Sequence, residues 1–168
     1  LALAFDPSTA FEKFPLLAQR LIADGWVARE PFGYSPAYIH FLALLIRAGA
    51  TPAGLCIAQV VLGALTCVLI GDLARRLFGP VEAAWAGILA AVFGPFLIFS
   101  IELESDGLGL FLYCAAATAI VAALDRPAWW RFAAAGLLLG LRVAQRPDAL
   151  LLVGVVAAVL CLGARSAR

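Results

Sequence analysis

Apolar residues in this chain fall into long blocks separated by short charged junctions. Residues 53–74 (AGLCIAQVVLGALTCVLIGDLA) form a block of about 20 mostly apolar residues, the length that crosses a bilayer as a helix. Residues 81–101 form a second, with Gly94-Pro95 placed to kink it. Residues 107–124 form a third, and the shorter or interrupted blocks 132–145 and 149–164 predict two more spans. Residues 36–48 (PAYIHFLALLIRA) are apolar but too short to cross. They predict a helix embedded in one leaflet or packed at the interface, with Pro36 in its first turn.

Residues 6–35 break the pattern, with Asp6, Glu12, Lys13, Arg20, Asp24, Arg29 and Glu30 among prolines and glycines. Within them FPLLAQRLIADGW has helical spacing: Leu17, Leu21 and Ile22 share a face, and Gln19, Arg20 and Asp24 fall largely off it. This is a water-facing loop with a short amphipathic helix. The expected fold is therefore all-α, a polytopic helical membrane protein in one domain over residues 1–168. It has an outer loop at 6–35, a juxtamembrane helix at 36–48 and about five transmembrane helices within 53–164.

The junction charges assign sides. Arg75 and Arg76 lie between the first two spans, Arg126 and Arg131 between the third and fourth, and Arg165 and Arg168 after the last. With one crossing per block, all three basic segments share a side, and short basic loops mark the cytoplasm. The Trp129-Trp130 pair suits an interfacial belt there. The opposite, outer face then holds the 6–35 loop, the acids Glu102, Glu104 and Asp106, and the turn with Arg146 and Asp148.

Composition agrees with a membrane chain: 64% of residues are hydrophobic and the mean hydropathy is +1.00, against about half apolar in soluble domains. A net charge of +1 argues against nucleic acid as a partner, and a single His excludes a His-rich metal site. Cys56, Cys67, Cys114 and Cys161 lie in apolar runs without a CxxC pair and read as small buried hydrophobes. The absence of Met and the opening Leu-Ala-Leu-Ala read as a fragment. On that reading LALAF is the last turn of a lost helix or a signal-peptide remnant.

The outer charges carry the candidate chemistry. Glu102 and Asp106 are four apart and share a helical face. Close carboxylates invite a metal ion, an Arg or a cationic substrate. Equally, Asp106 caps a helix beginning at Gly107, and the glutamates are solvated boundary charges. Arg146 either snorkels, or presents a guanidinium that binds phosphate or pins an outer acid. Arg142, one turn earlier, reads as packing or interfacial. Asp6 is a turn residue or a carboxylate placed as general base for a substrate arriving from lipid. Tyr34, Tyr38 and His40 line a polar cleft or anchor the interface.

The order of short motifs resembles a known family. It runs from an acid at the first outer loop through Asp24-Gly25-Trp26, Y-S-P-A-Y and a short apolar helix. Two spans joined by R-R-L-F-G follow, then F-S-x-E-L-x-S-D-x-L and G-L-L-L-G-L-x-x-x-x-R-P-x-A-L-L. Nearly the whole chain resembles the N-terminal membrane part of GT-C glycosyltransferases. The look is closest to bacterial relatives of the dolichyl-phosphate-mannose–protein mannosyltransferases and of the lipid A aminoarabinose transferase.

The resemblance implies an integral protein of the bacterial plasma membrane with its site facing the periplasm or exterior. It implies sugar transfer from a polyprenyl-phosphate donor, drawn from membrane lipid, to an acceptor glycan, lipid or protein. Asp6 matches the family's base, with Glu12 as the alternative. Asp106 matches the later catalytic acid, and Glu102 an acid seen in some relatives. Arg146 matches the basic residue that faces donor phosphate, and Tyr34 and Tyr38 are substrate-side candidates. No cofactor is fixed; a divalent metal, where relatives bind one, would sit near Asp106 and Glu102. Family members are longer, so this stretch is expected to be inactive alone. Two competing readings are a secondary transporter fragment, whose acids belong near the bilayer midplane, and a non-catalytic helical subunit.

Overall fold

The computed structural model describes residues 7–27, 35–94, 103–151 and 153–157, with side chains described from Lys13 onward. Every secondary-structure element among the described residues is a helix, and there is no strand among them. The helices are α1 (Pro7–Ala23), α2 (Pro36–Arg47), α3 (Pro52–Leu77), α4 (Pro80–Val92), α5 (Ser105–Asp125) and α6 (Trp129–Gln145). Helical residues recur at 149–151 and 153–157.

Local sequence explains the boundaries. Pro36, Pro52 and Pro80 each stand at the start of a helix, where the missing N–H would be unpaired anyway. The Thr51 side chain accepts from the Gly54 N–H at 3.2 Å and caps α3. Gly79, at φ 133°, makes the reversal between α3 and α4 in a backbone region that other residues avoid. The amphipathic helix of the first loop is longer than its apolar repeat, because it starts at Pro7. Leu21 is buried, Leu17 and Ile22 pack against the core, and Gln19, Arg20 and Asp24 face outward, as the spacing predicts.

Two helices, α3 and α5, are long and apolar enough to cross a membrane. At 26 residues, α3 spans roughly 39 Å. Only 17% of the apolar window of α3 and 28% of that of α5 are buried, whereas the core helix of a soluble domain hides most of its apolar surface. Ile57, Val60 and Val68 on α3 and Trp85, Ile88 and Leu89 on α4 point outward. The second predicted span, 81–101, is described to residue 94: α4 ends at Val92, and extended backbone at Phe93 interrupts it one residue before the predicted Gly94-Pro95 kink. Among the described residues the five expected spans are thus represented by two of full length and three shorter helical stretches.

Packing fixes relative direction. α5 is central, against α3 on one side and α6 on the other, and α4 packs on α3. Arg76 Nη1 reaches Asp125 at 3.2 Å where α3 and α5 end, so these two helices run parallel. Arg131 at the start of α6 donates to the Ala122 carbonyl of α5 at 3.0 Å, so α6 runs back. The Arg75-Arg76 and Arg126–Arg131 junctions therefore share one end of the bundle, as their charge predicts; residues 165–168 lie outside the described residues. The α1–α2 pair closes the other end. Ala18, Leu21, Tyr38, Ile39 and Leu42 form one core with Leu55, Leu103, Leu108 and Leu112.

Candidate functional site

At that closed end, the start of α5 meets the end of α6. Asp106 is the second residue of α5, in its first turn, where unpaired backbone N–H groups and the helix dipole favour a carboxylate. The helix begins at Ser105 with Glu104 as its N-cap, which makes no side-chain cap bond. The reading of Asp106 as the cap of a helix starting at Gly107 is thereby corrected. Its carboxylate turns instead to a neighbouring helix.

Arg146 follows the last residue of α6. Proline at 147 disfavours helical backbone in the residue before it, and Arg146 is extended at φ −145°, ψ 125°. Its N–H still donates to the Arg142 carbonyl at 3.0 Å, so the side chain leaves the helix from a fixed point. Arg146 Nη2 lies 3.0 Å from Asp106 Oδ1, with the Arg side chain 50% and the Asp side chain 36% exposed. Of the two functional readings of Arg146, the one that pins an outer acid describes this geometry.

The neighbouring residues set that meeting. Gln145 is buried and its Nε2 donates to the Ser105 carbonyl, so the pairs 105–145 and 106–146 lie side by side. Gly109 makes room, since a Cβ there would stand 2.9 Å from Gln145 Oε1. On the α2–α3 side, Gln59 Nε2 donates to Tyr38 Oη at 2.7 Å and to the Glu104 carbonyl at 3.1 Å. Both ends of the Glu104–Ser105 peptide segment are thus held by buried glutamines.

Arg142, read from sequence as packing or interfacial, is 5% exposed. Its guanidinium carbon lies 4.3 Å from the centre of the Tyr113 ring, a cation–π arrangement. Nη1 is 3.9 Å from Asp148 Oδ1, beyond hydrogen-bond distance, and Nε and Nη1 have no hydrogen-bond partner among the described residues. Sequence reasoning missed Gln59 and Gln145 altogether. The signal for Gln145 was the spacing of Arg142, Gln145 and Arg146, which puts three polar residues on adjacent positions of one helix face; Gln59 carried no comparable signal.

The other expected site residues distribute differently. Asp6, Tyr34 and Glu102 lie outside the described residues, and Glu12 belongs to α1 without a described side chain. Tyr38 does not line an open cleft. It is fully buried, packs edge-to-face on Phe14 at 5.1 Å and accepts from Gln59. Burial pushes its phenol well above the usual value, against the opposing effect of the Gln59 hydrogen bond. No group of three or more His, Cys, Asp or Glu side chains is assembled among the described residues. Asp106, already engaged by a guanidinium, does not by itself make a divalent-cation site.

An apolar groove of about 730 Å³ opens between α1, the α2–α3 junction and Leu103. It lies at the same end as Asp106. The sequence model of a family described as dolichyl-phosphate-mannose-protein mannosyltransferase matches residues 31–167. No curated protein and no solved structure matches the chain.

Proposed function

Because this chain belongs to the dolichyl-phosphate-mannose-protein mannosyltransferase family, we propose that it carries the outer-face site of a membrane glycosyltransferase. The donor is a sugar linked to a polyprenyl phosphate, and the acceptor offers a hydroxyl or amine. The observation that carries this reading is the Asp106–Arg146 contact at the end of a membrane-length helix. The same observation disfavours a transporter, whose coupling acid belongs near the midplane.

The chemistry assigns a role to each group. Transfer breaks the bond between the sugar's anomeric carbon and the phosphate oxygen and forms a bond from that carbon to the acceptor. Negative charge grows on the departing lipid phosphate and needs a cation or donors in place. The Arg146 guanidinium supplies them in a planar fork that fits phosphate oxygens. Asp106 aims that fork while the site is empty. The acceptor's proton goes to a carboxylate, for which Asp6 and Glu12 are the candidates in the first outer segment. The apolar groove beside Leu103 suits a prenyl chain.

The test is sugar transfer from a polyprenyl-phosphate donor by the full-length parent protein in membranes. Asp6→Asn, Glu12→Gln, Asp106→Asn and Arg146→Ala are compared at matched expression. Loss of transfer in Arg146→Ala, Asp106→Asn and one of the two base variants supports the reading. Wild-type transfer in all four would sink it.

A further inference from the structure

The opposite end of the bundle holds a second groove, which the proposed transfer does not use. Where α3 and α5 end and α6 begins, an open groove of about 710 Å³ is lined by Arg75, Arg76, Asp125, Arg126, Trp130 and Arg131, among others. Asp72 engages Arg75 at 2.5 Å and Arg76 at 2.7 Å, and Asp125 engages Arg76 at 3.2 Å. Four guanidiniums against these two carboxylates leave a surplus of two positive charges.

Most of this charge is held in place. Arg131 Nη1 donates to the carbonyls of Ala122 at 3.0 Å and Arg126 at 3.1 Å, and its guanidinium carbon lies 5.0 Å from the centre of the Trp130 ring. The Arg126 side chain is exposed and has no ion pair or hydrogen bond among the described residues. Arg75 keeps more than half of its side chain in the open. The groove therefore combines a fixed cationic wall with the unpaired guanidinium of Arg126 and the half-exposed one of Arg75.

Its surroundings are those of a membrane interface. It lies at the ends of the two helices long enough to cross a bilayer. Trp130 lines it and is exposed; Trp129, Phe78 and Leu124, each within two residues of its lining, are exposed too, and tryptophan favours the headgroup level. Apolar rim and cationic floor together match an amphiphile with a phosphate at its polar end. A purely soluble anion would have no use for the rim.

We infer that this groove binds the phosphate headgroup of an anionic phospholipid from the leaflet that meets this end of the bundle. Arg126 and Arg75 engage the phosphate, and the Trp129–Trp130 pair lies against the upper acyl region. Basic pockets between membrane helices recognise lipid phosphates in this way.

The test is lipid retention by the purified full-length protein in detergent, read by native mass spectrometry and by Trp130 fluorescence, with Trp130→Phe as the signal control. Phosphatidylglycerol should be retained and phosphatidylcholine not. Arg75→Gln and Arg126→Gln should each weaken phosphatidylglycerol binding about fivefold; melting should be unchanged in Arg126→Gln and at most slightly lowered in Arg75→Gln, which gives up an exposed ion pair with Asp72. Equal retention of the two lipids, or wild-type binding by the Arg75→Gln/Arg126→Gln double variant, overturns the inference. Displacement of phosphatidylglycerol by an equal concentration of inorganic phosphate also overturns it, since the site would then read a soluble anion. Sugar transfer is not a readout, so either result leaves the proposed transferase reaction where it stood.

Discussion

Arg146 meets Asp106 at 3.0 Å across two helix ends, with both side chains at least one-third exposed. Such a pair contributes about 0–1 kcal/mol to stability, because water screens it and ordering two side chains costs entropy. The contact is therefore weak enough to open when a phosphate competes for the guanidinium. Arg146→Ala should lower folding stability by no more than about 1 kcal/mol. It should lower transfer by about 100-fold or more, the scale of losing a donor to a developing oxyanion. Arg146→Lys keeps the charge but not the fork and should fall between the two. Thermal melting in detergent, set beside the transfer assay, separates the effects. A large stability loss with proportionate loss of transfer would mean that the pair is structural.

Gly109 and Gln145 make a sharper test of how the site is held. A Cβ at 109 would stand 2.9 Å from Gln145 Oε1, so Gly109→Ala forces the amide to swing away and give up its bond to the Ser105 carbonyl. The expected cost is about 1–3 kcal/mol, the scale of a buried polar group left without its partner. Once Gln145→Ala has removed the obstructing side chain, the same Gly109→Ala change should turn neutral or stabilising, by up to about 1 kcal/mol, from helix propensity alone. Unfolding of the four variants of this cycle reads the reversal of sign. Additive losses would mean that the two residues do not interact.

Tyr38 and Gln59 tie α2 to α3 and to the start of α5. Gln59→Leu strands the Tyr38 hydroxyl and the Glu104 carbonyl together and should cost about 1–3 kcal/mol; Tyr38→Phe leaves the Glu104 bond intact and should cost about 0.5–1.5 kcal/mol. The raised phenol adds a pH signature. In the unfolded chain Tyr38 loses its proton near 10.0, while in the folded protein it stays protonated to higher pH. Its contribution is therefore complete below pH 10 and is lost as pH rises beyond it. Alkaline unfolding of the wild type should steepen above pH 10, and Tyr38→Phe should flatten that limb. Equal slopes would mean that the phenol is not shielded.

What the sequence shows and hides follows from the kind of physics each feature obeys. The Leu17, Leu21 and Ile22 stripe, the proline starts and the basic junctions are local signals, and they locate helices and their common end. Pro147 equally announces the extended backbone at Arg146. The Asp106–Arg146 meeting needs α5 and α6 to run antiparallel in register, which no single stretch encodes. Tyr38 reads as an interfacial or cleft residue because tyrosine is amphipathic; its burial depends on Gln59, 21 positions away. Gly109 looks like any helical glycine until Gln145 is brought over it.

Arg142 separates charge from volume. Its Nε and Nη1 are buried without hydrogen-bond partners among the described residues, and Asp148, 61% exposed, is too far away to satisfy them. A buried guanidinium in that state offers little net stability, because desolvation offsets its attraction to the Tyr113 ring. Methionine has comparable length, no charge and a sulfur that also favours an aromatic edge. Arg142→Met should therefore leave folding stability within about 1 kcal/mol of wild type or raise it. Arg142→Ala removes the same charge and the volume as well, and should destabilise by about 2 kcal/mol or more through the cavity left beside Tyr113. Thermal unfolding of the two variants side by side is the measurement. A loss of about 3 kcal/mol or more in Arg142→Met would show that the guanidinium has a strong partner in the membrane, and that the charge, not the packing, holds α6 against α5.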